Sequence, residues 1–158
     1  MKGLKSILFA EDNEHDIELT LEALSEHNLM NEVITVRDGE EALNYLYKRG
    51  KYQDRQSSNP AVILLDLKMP KVDGLEVLRR IKGDDTLKTI PVVMLTTSRE
   101  ESDLLNSYHY GVNAYVVKPV DFQEFLSAVK QLGVFWAILN ETPQDPKQGA
   151  SDSKPVVR

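Results

Sequence analysis

The chain has 158 residues, 41% of them hydrophobic, which is enough for one domain with a sizeable core and little left for a second. A formal net charge of −6 argues against binding nucleic acid by general charge attraction, which needs clustered Lys and Arg against the phosphate backbone. With no cysteine in the sequence, disulfides, thiolate metal sites and a cysteine nucleophile are excluded, so a metal would have to sit on oxygen ligands or histidine.

Residues 7–10 form an apolar run too short for a signal or membrane segment, and acidic residues follow at once, so a soluble cytoplasmic protein without a membrane partner is expected. Ser6 to Ala10 reads as a short buried strand, closed by Glu11-Asp12-Asn13, a cluster that suits a helix N-terminus. From Glu14 onward Ile17, Leu21 and Leu24 recur at helical spacing among Glu18, Glu22 and Glu26, giving one buried stripe and one acidic face. Val33 to Val36 is a β-branched second strand, and Asp38-Gly39 opens a second helix with a cap and a charged first turn. Residues 48–60 lack apolar periodicity and read as a surface loop, longer than most connections of this kind.

Ala61 to Leu65 is an unbroken apolar run that ends in Asp66, with Pro70 and Asp73-Gly74 supplying turn chemistry before Leu75. Such a run suits a strand buried on both faces, and Asp66 then sits at the C-terminal edge where open α/β sheets bind ligands. Leu75, Leu78 and Ile81 mark a third helix ending near Gly83; Ile90 to Leu95 is a fourth strand, ended by Thr96-Thr97-Ser98. Arg99 to Tyr110 reads as a weakly amphipathic helix stopped at Gly111, and Ala114 to Val117 as the last strand, closed by Lys118-Pro119. Asp121 to Glu124 has capping-box spacing and opens a final helix carrying Phe122, Phe125, Leu126, Val129 and Leu132 on its apolar face. Val134 to Leu139 adds apolar surface expected to contact the body or a partner. Residues 1–140 are expected to form one domain, and 141–158, without periodicity, a disordered tail.

Strands alternating with helices imply right-handed crossovers and an α/β fold with a mostly parallel sheet and helices on both faces. Every polar cluster named above ends a strand, so Glu11-Asp12, Asp66, Thr96-Thr97-Ser98 and Lys118 are expected to meet at one edge. Carboxylates gathered there need a cation, and Mg²⁺, which takes a few carboxylates, keeps waters and bridges to phosphate oxygens, is the economical one. A phosphoryl group brought to it would lie within reach of Asp66 as nucleophile, with Lys118 and a Thr96 hydroxyl facing the phosphoryl oxygens; whether Thr96 or its neighbour Thr97 points inward depends on strand register.

This set resembles the receiver domain of two-component response regulators. The resemblance rests on Glu11-Asp12 after the first strand, Asp66 after the third with Met69-Pro70 and Asp73-Gly74 in register, Thr96 after the fourth, and Lys118-Pro119 after the fifth. It implies a doubly wound, flavodoxin-like five-stranded sheet of order 2-1-3-4-5. It also implies Mg²⁺ held by Glu11, Asp12, Asp66 and the backbone carbonyl of Lys68, and phosphoryl transfer from a sensor histidine kinase to Asp66. Alignment with the family favours Thr96 over Thr97, and Thr96 and Tyr115 are then the switch pair and Pro119 a candidate cis proline. Output would be phosphorylation-dependent binding of a downstream protein, or of a second copy, through the face of the fourth helix, fifth strand and fifth helix. The long loop, Phe135-Trp136 and Asn140-Glu141 look like stand-alone regulators paired with phytochromes. The first acidic position is Glu11 where many receivers have Asp.

Two other functions compete. A Mg²⁺-dependent phosphohydrolase with an Asp nucleophile usually needs a second carboxylate two residues later, and that residue is Lys68. A pseudo-receiver that binds partners without phosphorylation would not need the complete acidic, hydroxyl and lysine set. His15, His27 and His109 have no metal-ligand spacing, and no G-x-G-x-x-G follows the first strand.

Overall fold

The computed structural model describes residues 6–25, 32–101 and 114–131. Five parallel strands, β1 (Ile7–Ala10), β2 (Val33–Val36), β3 (Val62–Asp66), β4 (Val92–Thr96) and β5 (Ala114–Val117), form one sheet in the order β2-β1-β3-β4-β5. The described helices are α1 (Glu14–Ser25), α2 (Gly39–Tyr47), α3 (Gly74–Lys82) and α4 (Phe122–Gln131), with a 3₁₀ turn at Gly50–Tyr52. Residues 99–101 begin the helix expected after β4; the rest of that helix, Leu132, the segment 134–139, His27, His109 and the tail lie outside the described residues.

The sheet explains the apolar runs. Leu8, Ile63, Leu65, Val92 and Met94 face one side and pack with Leu43, Leu46, Val77, Leu78 and Ile81 of α2 and α3. Their strand neighbours Ile7, Phe9, Val62, Leu64, Val93 and Leu95 face the other side, against Ile17 and Leu24 of α1 and Phe125 and Val129 of α4. Side chains alternate along a strand, so a strand covered on both faces must be apolar at every position. All of β1, β3 and β4 is accordingly buried.

Caps place the helix starts where the turn residues indicated. The carboxylates of Asp38, Asp73 and Asp121 accept hydrogen bonds from the backbone N–H of Glu41, Glu76 and Glu124. The segment 48–60 departs from the expected plain surface loop. Tyr52 stacks edge-on against Tyr45 with ring centroids 5.0 Å apart, and its hydroxyl donates to Glu41 at 2.7 Å. The Arg55 guanidinium lies 4.2 Å over the Tyr45 ring and donates to the carbonyls of Tyr45, Ser57 and Ser58. Composition hid this because the anchors are two isolated residues, too few to produce a period.

The turn after β3 is tight. The Gly74 N–H donates to Leu67 O at 2.8 Å, and a Cβ at Gly74 would lie 2.1 Å from Asp66 O and 2.9 Å from Leu67 O. Backbone atoms cannot yield as a side-chain tip does, so Gly74→Ala is expected to cost about 3 kcal/mol, near the upper end for overpacking. Urea denaturation checks this, and an unchanged midpoint would show that the turn can widen.

Candidate functional site

Register brings the polar residues together. Ala10 pairs with Leu65, so Glu11 follows beside Asp66; Asp66 pairs with Leu95, one residue before Thr96; Thr96 pairs with Val117, one residue before Lys118. Backbone bonds Leu67 N–H to Leu95 O at 3.3 Å and Lys118 N–H to Thr96 O at 2.8 Å extend the ladder to the edge. Asn13 then turns the chain into α1, its side chain accepting the Asp16 N–H at 2.9 Å while its own N–H donates to Glu11 Oε2 at 3.1 Å.

At the centre of the edge stands the Lys118 ammonium. It lies 3.0 Å from Glu11 Oε1, 3.0 Å from Asp16 Oδ2 and 3.0 Å from Asp66 Oδ1. Glu11 is fully buried, Asp66 is 5% exposed and Asp12 is exposed. Carboxylate oxygens of Glu11, Asp12 and Asp66 lie within 4.8 Å of one another. A cavity of about 190 Å³ opens over them, walled also by Asp16, Lys68, Thr97, Glu101 and Lys118. Five carboxylates face two lysines on this wall, one of them the exposed Lys68, so the site is short of positive charge.

The ionisation equilibria reflect burial first and that shortage second. Burial, and then the Asp66 charge, push the Glu11 carboxyl up to about 7, against the partial relief of the Asn13 N–H and the Lys118 ammonium. Burial also raises Asp66, with Lys118 opposing it. Burial pulls Lys118 down, but the hydrogen bonds it donates to Asp16, Asp66 and Glu11 together outweigh that and hold it above its ordinary value. A hard divalent cation on Glu11, Asp12 and Asp66 would relieve the same repulsion, so the donor set fits one.

Other expected residues sit close by in different roles. Thr96 is fully buried and donates its hydroxyl to Ser98 O at 3.3 Å, whereas its neighbour Thr97 is exposed and walls the cavity. Tyr115 is half-buried against the α2 and α3 face of the sheet, the face to which Met94 also points. The Lys68 ammonium is exposed and 3.9 Å from Glu101 Oε2. The Lys118-Pro119 bond is cis. His15 is exposed.

Two residues of the cavity wall went unnoticed in the sequence. Glu101 had a legible signal, the Ser98-x-x-Glu101 spacing of a capping box: Glu101 N–H donates to Ser98 Oγ at 3.1 Å and the Glu101 carboxylate accepts the Thr97 N–H at 2.8 Å. Asp16 had none, being one acid among several around the start of α1.

The response regulator receiver domain family matches this chain over residues 7–130. The chain belongs to that family. The bacteriophytochrome response regulator AtBRR is 61% identical, with 89% of this chain and 100% of that chain covered and a TM-score of 0.84. The cyanobacterial phytochrome response regulator RcpA, solved in phosphorylated form, is 47% identical over 85% of this chain and 94% of its own, with a TM-score of 0.68. Response regulator Rcp1 of Synechocystis sp. is 42% identical over 132 residues, 84% of this chain and 88% of that protein. A Mn(2+)-bound form of Rcp1 matches with a TM-score of 0.67 and 40% identity, covering 89% of this chain and 99% of that one. The chain is thus a receiver-domain signalling protein homologous to phytochrome response regulators, and its acidic pocket is of the kind in which receiver domains bind a divalent metal. Among the described residues no helix is long and apolar enough to cross a membrane.

The raised Glu11 carboxyl predicts a pH signature in metal-free protein. Folding favours its protonated form, so its contribution to stability is fully present below about 4.5 and is lost as pH rises through about 7. Glu11→Gln, which cannot ionise, is expected to gain stability relative to wild type at pH 8 but not at pH 5. Urea midpoints at both pH values in chelator check this, and a difference independent of pH would contradict it.

Proposed function

We propose that the protein accepts a phosphoryl group on Asp66 from a phytochrome-type sensor histidine kinase and passes the signal on by phosphorylation-dependent protein binding. The observation that carries this reading is the Lys118 ammonium 3.0 Å from Asp66 Oδ1, inside a buried acidic edge. Burial pushes the Asp66 carboxyl up, and Lys118 opposes that push, favouring the ionised form that a nucleophile must have. An Asp66 oxygen attacks the phosphorus of the donor phosphohistidine and an O–P bond forms. The P–N bond breaks, and its electron pair returns to the imidazole nitrogen. Lys118 then donates to the phosphoryl oxygens, joined by the Thr96 hydroxyl once it exchanges Ser98 O for the new acceptor. Mg²⁺ held by Glu11, Asp12, Asp66 and the Lys68 carbonyl would supply the positive charge that offsets the carboxylates and the incoming phosphoryl oxygens.

The phytochrome-type donor is supported by the bacteriophytochrome and phytochrome regulators among the relatives. Movement of Thr96 toward the phosphoryl group opens space on the sheet face where Tyr115 lies, so Tyr115 turning inward is the readout, felt on the surface that includes β5 and α4. A downstream protein or a second copy of the chain binds there. A phosphohistidine donor made from ATP is in keeping with an exchange in the cytoplasm, and the chemistry is read as self-catalysed phosphotransfer and autodephosphorylation, with no free substrate turned over. The hydrolase reading is disfavoured because the residue two after Asp66 is an exposed lysine. The pseudo-receiver reading is disfavoured because the acidic, hydroxyl and lysine groups converge on one edge.

Asp66→Asn is nearly isosteric and has no nucleophilic oxygen anion. Labelling by a histidine kinase or by acetyl phosphate should fall at least about a hundredfold, a loss of the size seen when a required group is removed from a reacting centre, while the circular dichroism stays that of wild type. Equal labelling of the two proteins would move the acceptor elsewhere.

A further inference from the structure

The Lys118 ammonium has three N–H donors, and three carboxylates surround it at 3.0 Å: Glu11, Asp16 and Asp66. No N–H is left over for a phosphoryl oxygen. A phosphoryl group on Asp66 can engage Lys118 only if one of these bonds is given up. The three carboxylates differ in what release would cost. The side chains of Glu11 and Asp66 are 1% and 6% exposed, and a buried carboxylate that loses its partner is left uncompensated. The Asp16 side chain is 29% exposed, so water can replace the lysine there. Asp16 is also outside the trio of carboxylates whose oxygens lie close enough to share an ion, so a cation would not hold it. Its backbone N–H is bound by the Asn13 side chain in the first turn of α1, which fixes the helix start that carries Asp16.

We infer that Asp16 is a positioning residue for Lys118: it holds the ammonium over the acidic edge before phosphotransfer and is the carboxylate displaced when the phosphoryl group arrives. Asp16 then competes with the phosphoryl group for one N–H of Lys118, and the affinity of the site for a phosphoryl group is lower by the strength of that contact. This inference rests on the assignment of Asp66 as acceptor. The contact is a partly exposed ion pair, so its removal should tighten phosphoryl binding by about fivefold, the upper end for such pairs.

The test is Mg²⁺-dependent binding of beryllofluoride, a phosphoryl mimic, to wild type, Asp16→Asn, Asp16→Ala, Asp16→Glu and the control Glu14→Gln. Glu14 lies in the same helical turn and pairs with Arg37, so its neutralisation removes a nearby charge without touching Lys118. Expected are tighter binding by about fivefold in Asp16→Ala, a smaller gain in Asp16→Asn because its amide oxygen still accepts, wild-type affinity in Asp16→Glu, and less than twofold change in Glu14→Gln. The ¹⁵N shift of the Lys118 ammonium in metal-free protein should move in Asp16→Ala and stay put in Glu14→Gln. Equal effects of Asp16→Ala and Glu14→Gln on both readouts would reduce Asp16 to a general charge and overturn the inference, as would an unchanged affinity in Asp16→Ala. Wild type that binds no beryllofluoride would overturn the phosphoacceptor assignment itself, a distinct failure.

Discussion

The buried ammonium of Lys118 is the interaction on which the site depends. Glu11 and Asp66 are removed from water at the edge of the sheet, and an ionised carboxylate buried without a partner is costly. Among the described residues Lys118 is the cation paired with both, 107 residues from Glu11 in the chain, so the site exists only when β1, β3 and β5 are in register with β4 between β3 and β5. The parallel sheet therefore does two jobs with one register: it sorts apolar side chains onto its two faces, and it brings the residue after each strand to a common edge. A slip of one residue would send the core residues of that strand to the wrong face and withdraw its functional residue together. Stability and function are tied to the same alignment.

Lys118 offsets only part of the negative charge: burial first, and then the Asp66 charge, still push the Glu11 carboxyl up. The imbalance is chemically useful. A site that is short of positive charge attracts a divalent cation, and with that cation present it can accept a doubly charged phosphoryl group that the carboxylates alone would repel. Asp16 fits into this balance as the most solvated of the carboxylates on Lys118, the one that can be exchanged for a new anion with least rearrangement of the buried pair.

The strands were legible because both faces of β3 are covered, which turns an ordinary alternation into the continuous run Val62-Ile63-Leu64-Leu65. Asp66 was legible for the complementary reason: a charge that ends such a run has only the edge to occupy. The positions of Asp38, Asp73 and Asp121 as caps followed from turn chemistry written in three or four neighbouring residues. What the sequence concealed depends on distances between segments. The Arg55 stack on Tyr45 and the Tyr52 to Glu41 bond organise a stretch that looks featureless in one dimension. Choosing between Thr96 and Thr97 needs the facing of β4, which places Thr96 inside and Thr97 on the cavity wall. Asp16 acquires its partner from the residue after β5, 102 residues away, and no local spacing encodes that.

The central claim is that the carboxylate at the end of β3 becomes an acyl phosphate. Phosphorylated full-length chain, prepared with a phosphodonor and Mg²⁺, can be reduced with borohydride, which converts a phosphoaspartate to homoserine, and then mapped by peptide mass spectrometry. The account predicts a single modified site at Asp66, absent when the donor is omitted. Modification at another carboxylate, or at a histidine with Asp66 intact, would contradict it.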